Sequence, residues 1–183
     1  IQGGQPMNIE KRFQMAELRT KGRRLEGYAA LFGTEAQIGG GMVETIAPGA
    51  FTTTLAERPD ILALVDHDPA RVLARTKSGT LRLREDARGL AFDLDVPDTQ
   101  AGRDVLALAE RGDLGGMSFG FNARDEIVDG NRRELRALDL FEVSVVAAFT
   151  AYDGTVINAR AMAGNFPARE HAARILDILE LIT

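Results

Sequence analysis

The sequence predicts a mainly β fold of the α+β class, built as one domain with tails, and three observations carry that prediction. Many short runs rich in Val, Ile, Leu, Phe and Thr are separated by turn signals containing Gly, Asn and Asp. Only one stretch of the body, residues 99–111, has a clear helical period. At 183 residues the chain is long enough for one sizeable core and too short for two large ones.

The elements follow in order. Ile1 to Pro6 (IQGGQP) precede Met7 and read as a tag or cleavage remnant, set apart from the fold. Strand-like runs over 9–18 and 24–32 flank Thr20-Lys21-Gly22, and a hairpin is the simplest arrangement of the two. Gly39-Gly40-Gly41 is a loop and 42–46 a short strand. Pro48-Gly49-Ala50-Phe51 is a turn, and 52–57 a short helix stopped before Pro59. Ile61-Leu62-Ala63-Leu64-Val65 is apolar without interruption, as a strand buried on both faces requires, and it delivers Asp66-His67-Asp68 to its end. Strands over 73–76, 81–85 and 90–96 come next. Leu81 and Leu83 alternate with Arg82 and Arg84, and Phe92, Leu94 and Val96 with Asp93 and Asp95, so this part of the sheet has one wet face.

From Thr99 the period changes. Val105, Leu106, Leu108 and Ala109 share one helical face, and Gly112 is placed to cap the helix. A strand then runs to about Ala123, a second spans 126–128, and Asp129-Gly130-Asn131 turns the chain into a long β-prone segment over 133–149. The last part, 168–181, has the pattern of an amphipathic helix, so the chain divides into 1–6, a body of 7–160, and a linker with helix over 161–183.

Composition excludes several classes of function. A formal net charge of −5 argues against binding a phosphate backbone, and no apolar run reaches the length of a bilayer span. Without cysteine there is no disulfide framework, thiol nucleophile or thiolate metal site, and His67 and His171 are the only imidazoles. No metal or organic cofactor is called for.

Gly115-Gly116-Met117-Ser118-Phe119-Gly120-Phe121 sets one small nucleophile-capable side chain among glycines that let backbone N–H groups approach a bound carbonyl. A serine needs a base to take its proton, usually a histidine oriented by a third group. Ser78 sits in a turn of the wet sheet, and Ser144 lies between valines, where packing suits it better than attack. Ser118 and the single body histidine, His67, therefore pair naturally. Glu142, Asp139 and Asp66 are all candidates for the third member. Glu142 shares a strand face with Leu140 and Ser144, a carboxylate in an otherwise apolar strand. Gly116-Met117-Ser118-Phe119-Gly120 also fits the G-x-S-x-G elbow of α/β-hydrolases, but that motif needs a strand before the serine and a helix directly after it. Here a helix precedes, strand-like sequence follows, and the order is His67, Ser118, Glu142.

Five segments together give the chain a specific resemblance: 25–33 (LEGYAALFG), 44–51 (ETIAPGAF), 64–68 (LVDHD), 116–121 (GMSFGF) and 140–146 (LFEVSVV). In order and approximate spacing they resemble the prohead proteases of tailed bacteriophages, the HK97-type serine endopeptidases. That family is similar to the herpesvirus maturation proteases, which implies a closed or nearly closed β-barrel surrounded by helices. The resemblance makes Ser118 the nucleophile and His67 the base, with Glu142 the choice for the third member and Asp139 behind it. Arginines assist the oxyanion in the herpesvirus enzymes, but Arg132, Arg133 and Arg136 do not align clearly with them.

The resemblance further implies an endopeptidase acting inside the assembling prohead in the host cytoplasm. Its polypeptide partners would be the major capsid protein and scaffold, with self-cleavage and a homodimer also implied, and no nucleic acid or membrane. A non-catalytic capsid-assembly or scaffolding module with the same fold is the alternative, favoured if Ser118 cannot reach His67.

Overall fold

A computed structural model describes residues 9–14, 19–58 and 60–147. Its strands are β1 (Glu10–Gln14), β2 (Arg19–Lys21), β3 (Arg24–Leu31), β4 (Ala36–Ile38), β5 (Met42–Ile46), β6 (Leu62–Val65), β7 (Asp68–Arg75), β8 (Leu81–Glu85), β9 (Gly89–Asp95), β10 (Gly116–Asp129) and β11 (Arg132–Val146). Two helices, α1 (Thr52–Glu57) and α2 (Gln100–Arg111), complete the described body. Neither is long and apolar enough to cross a membrane.

One sheet runs β1-β10-β11-β5-β4, with β6 also on β11 and β7 on β6, and the other runs β2-β3-β9-β8. The hairpin of β10 and β11 is the spine of the first. The start of β11 pairs in parallel with β5, through Arg132 to Leu135, and its end pairs in parallel with β6, through Glu142 to Val145. Between these ladders the amides of β11 need other acceptors, because a buried N–H left unpaired is costly. The segment around α1 supplies them: Leu138 N donates to Ala50 O at 3.1 Å and Leu140 N to Thr54 Oγ1 at 3.0 Å.

The period-two alternation of β10 and β11 separates core from site. Met117, Phe119 and Phe121 on β10, with Val143 and Val145 on β11, are fully buried in the core. Phe119 packs on Phe51 and Phe121 at centroid distances of 5.9 and 5.3 Å, and each such ring contributes about 2–3 kcal/mol by burial. The opposite face carries Gly116, Ser118 and Gly120, beside Glu142 and Ser144.

The helix over 99–111 forms as its pattern predicts. Thr99 Oγ1 accepts from Gly102 N at 3.2 Å, and Gly112 ends the helix in the left-handed region, where glycine carries no side-chain penalty.

Several expectations are corrected. The runs over 9–18 and 24–32 do not form one hairpin: β2 pairs with β3 across the turn at Gly22, while β1 pairs with β10 in the other sheet. The strands at 116–123 and 126–128 are one continuous β10, bent by register shifts instead of broken. The closed barrel is not present, because the described residues form two open sheets. Where β1 approaches β3, the Gln14 side chain bonds both main-chain groups of Leu31 and no backbone ladder joins the two strands. The C-terminal helix expected over 168–181 lies outside the described residues.

A partly buried cluster of charge fastens β1 to the spine. Arg12 Nε meets Glu44 Oε1 at 2.6 Å, and Arg133 Nη1 meets Glu44 Oε2 at 2.9 Å and Glu10 Oε2 at 2.6 Å. Removing one partner from such a set strands a charge away from water, at a cost of about 3–5 kcal/mol. The hydrogen bond from Arg133, then the charge of Arg12, hold the Glu10 carboxyl below its ordinary value against the opposing effect of burial. Asp60, Asp86 and Asp95 are held low as well, by Arg75, by the Arg88 amide and by Arg82 respectively. Depressed carboxyls add stability in full above their unfolded values and lose it as the pH falls through the folded ones. Thermal melting should therefore be level near neutrality and drop below about pH 4.5, with a smaller drop in Glu10→Gln. A melting temperature unchanged down to pH 3 would contradict this.

Candidate active site

The site begins with a turn that the sequence makes awkward. β6 and β7 are joined by Asp66 and His67 between the paired residues Val65 and Asp68, and both turn residues have positive φ, 51° and 59°. Two-residue hairpin turns of this kind favour Asn and Gly, because a β-carbon at positive φ costs about 1–2 kcal/mol per residue. The surrounding structure holds the turn in place. Asp66 N donates to Val145 O at 3.0 Å, Ala147 N donates to Asp66 Oδ1 at 2.9 Å, and His67 N donates to Ser144 Oγ at 3.2 Å. The turn swings the imidazole back over the outer face of β10 and β11.

There it completes a hydrogen-bonded line. His67 Nε2 lies 2.7 Å from Ser118 Oγ, and His67 Nδ1 lies 2.6 Å from Glu142 Oε1. The side chains of His67 and Glu142 are 10% and 12% exposed, and Ser118 is fully buried. With the second Glu142 oxygen accepting from Ser144 Oγ at 2.5 Å, the carboxylate is fixed at both ends. Such a line can move a proton from the hydroxyl to the imidazole while a carboxylate steadies the resulting cation.

The other carboxylates considered for the third place face elsewhere. Asp139 Oδ1 pairs with Arg124 Nε at 2.8 Å, and Asp66 is taken up by Ala147 N and by Arg71 at 3.1 Å. Arg132, Arg133 and Arg136 stand on the far part of β11, away from Ser118, and are paired with Glu35, Glu10 and Asp125 respectively.

Both flanking glycines have a steric reason. A β-carbon on Gly120 would lie 2.5 Å from Glu142 Oε1, so the carboxylate rests in the space a side chain would fill. On Gly116 a β-carbon would lie 2.7 Å from Cζ of Phe13 and 2.6 Å from Gln14 O. Gly120→Ala should therefore fold, since its backbone is not at positive φ, but should push Glu142 off His67 and lower turnover by about 10²-fold. Turnover and melting temperature measured together check this, and a Gly120→Ala chain with native turnover would refute it.

Sequence reasoning missed the part played by β1. Phe13 stands opposite Ser118 in the β1–β10 register, and Ser118 Oγ lies 2.8 Å from Arg12 O. A hydroxyl has one proton, so Ser118 gives it either to the Arg12 carbonyl or to His67 Nε2, and while it goes to Arg12 O the contact with His67 needs the proton on Nε2. Ladders flank β10 on both sides from Met117 to Phe121, which commits the amides beside Ser118 that were the first choice as oxyanion donors. Nothing in residues 9–14 signalled this, because strand pairing across the whole chain created it. The contact of Ser144 with Glu142 had a signal in the alternation that put both on one face.

No curated protein and no solved structure matches the chain. With the model of the caudovirus prohead serine proteases matching residues 11–166, and so taking in Ser118, His67 and Glu142 with the strands that carry them, the chain belongs to that family.

Proposed function

We propose that the protein is a serine endopeptidase of capsid maturation that cleaves the major capsid protein, scaffold or both inside the immature shell, with its own chain as a further candidate substrate. The observation that carries this reading is the unbroken line from Ser118 Oγ through His67 to Glu142, with both links under 3 Å. In this reading Ser118 Oγ attacks the scissile carbonyl as His67 Nε2 takes its proton, and Glu142 stabilises the imidazolium. The imidazolium then gives that proton to the departing amine, and water, activated by the same imidazole, releases the acyl group from Ser118. An incoming peptide needs the space beside Ser118. The short edge strand β1 is the neighbour whose shift would open it without taking β10 and β11 apart, at the expense of the Arg12 and Glu10 ion pairs that fasten it, and the shift would also free Ser118 from the Arg12 carbonyl and release amides on β10.

The proposal places the protease unit at 7–160, with 161–183 as an appended segment, and includes a homodimer for which resemblance is the only support. A Ser118 out of reach of His67 would have favoured the non-catalytic assembly module, and the 2.7 Å separation does not give it that support.

Co-expression with the chain's own major capsid protein tests the reading, with capsid-protein mass as the readout. Loss of an N-terminal segment in the presence of the native chain is the expected result. Intact capsid protein in fully assembled shells would overturn it.

A further inference from the structure

We infer that Ser144 is a positioning residue for this site, a fourth polar member that acts through Glu142 and the His67 turn and does not touch substrate. The inference rests on the protease reading and adds to it. Ser144 is fully buried, and its backbone is held by ladders on both sides, opposite Ser118 on β10 and Leu64 on β6. Its hydroxyl is therefore placed by the same two strands that deliver the nucleophile and the histidine.

Both capacities of that hydroxyl are used within the line. Its proton goes to Glu142 Oε2 at 2.5 Å, and a lone pair accepts from His67 N at 3.2 Å. The first contact stops the carboxylate from rotating, so that Oε1 stays aimed at His67 Nδ1. The second gives the His67 amide, turned out of any ladder by its positive φ, the partner it needs away from water. The run Val143-Ser144-Val145-Val146 would be a stronger strand with a β-branched apolar residue at its second place. A serine there exchanges strand propensity for two hydrogen bonds, both to the proposed catalytic residues.

The test uses the full chain and a peptide spanning the capsid-protein cut, with kcat, KM and melting temperature measured for each variant. Ser144→Ala is expected to lower kcat by about 10–10²-fold with KM nearly unchanged, since the carboxylate and imidazole drift by a fraction of an ångström. Ser144→Thr, which restores a hydroxyl, should recover most of that loss. In a Glu142→Gln background, Ser144→Ala should cost little more, because the route through the carboxylate is already broken. Equal losses in both backgrounds, or native kcat in Ser144→Ala, would overturn the inference. If Ser144→Ala melts far below the native chain, Ser144→Cys decides, because it keeps the shape and is only a weak donor: reduced kcat at native melting temperature supports the role and full kcat refutes it. A native chain that cuts neither peptide nor capsid protein would count against the protease reading itself, a result distinct from all of these.

Discussion

Ser118→Ala should abolish capsid-protein cleavage, with kcat falling on the order of 10⁶-fold, because a nucleophile and its base work as one unit and neither retains value alone. The fold should survive. Alanine removes one oxygen from a site where β10 is paired on both sides, and the lost contacts, to Arg12 O and His67 Nε2, lie off the hydrophobic core. Losing a hydrogen bond of this kind costs about 1 kcal/mol, a small shift in melting temperature for a domain of this size. Capsid-protein mass in co-expression and the melting curve of the purified variant together separate lost chemistry from lost structure. Ser118→Ala that still cleaves would move the nucleophile elsewhere. Ser144 is the next buried hydroxyl, but it is already committed to Glu142 and the His67 amide.

Glu142→Gln should be the next most damaging change, at about 10⁴-fold in kcat. The amide is nearly the same size and can keep its place over Gly120. What it loses is the charge that balances the imidazolium, and its NH₂ can turn toward Nδ1 and select the wrong tautomer. Asp139→Asn is the matched control. Asp139 pairs with Arg124, so its loss should leave cleavage near native while releasing an Arg124 whose proton affinity Asp139 now raises. Rates for the two variants on one peptide settle the assignment. Near-native cleavage in Glu142→Gln with loss in Asp139→Asn would reverse the roles.

The two carboxylates show how much of the site was legible beforehand. Alternation along 140–146 placed Glu142 and Ser144 on one face, and the apolar run ending at Val65 placed His67 at the mouth of a strand. Both were local patterns, and both elements form as expected. Glu142 already stood ahead of Asp139 in the sequence reading, but its contact with His67 is not local. It depends on β11 pairing in parallel with β6, which brings Leu62 to Val65 alongside Glu142 to Val145 and so sets the His67 turn over that carboxylate. A parallel pairing between segments so distant in the chain leaves no period, turn residue or cap in the sequence to announce it.

The sequence by itself determined the mainly β class, the helix from its Thr99 cap to Gly112, the buried strand before His67, and a short list of residues able to do acyl transfer. These follow from side-chain period and turn chemistry, which act over a few residues. Only the tertiary structure decided that the strands form two open sheets, that β1 crosses to lie against Ser118, that Gly116 and Gly120 leave room for Phe13 and Glu142, and that Ser144 ties the carboxylate to the His67 turn. Each of these is a contact between segments far apart in the chain. Its existence depends on which strands win the competition for one another's edges, and that is settled by the burial and hydrogen bonding of the whole domain at once.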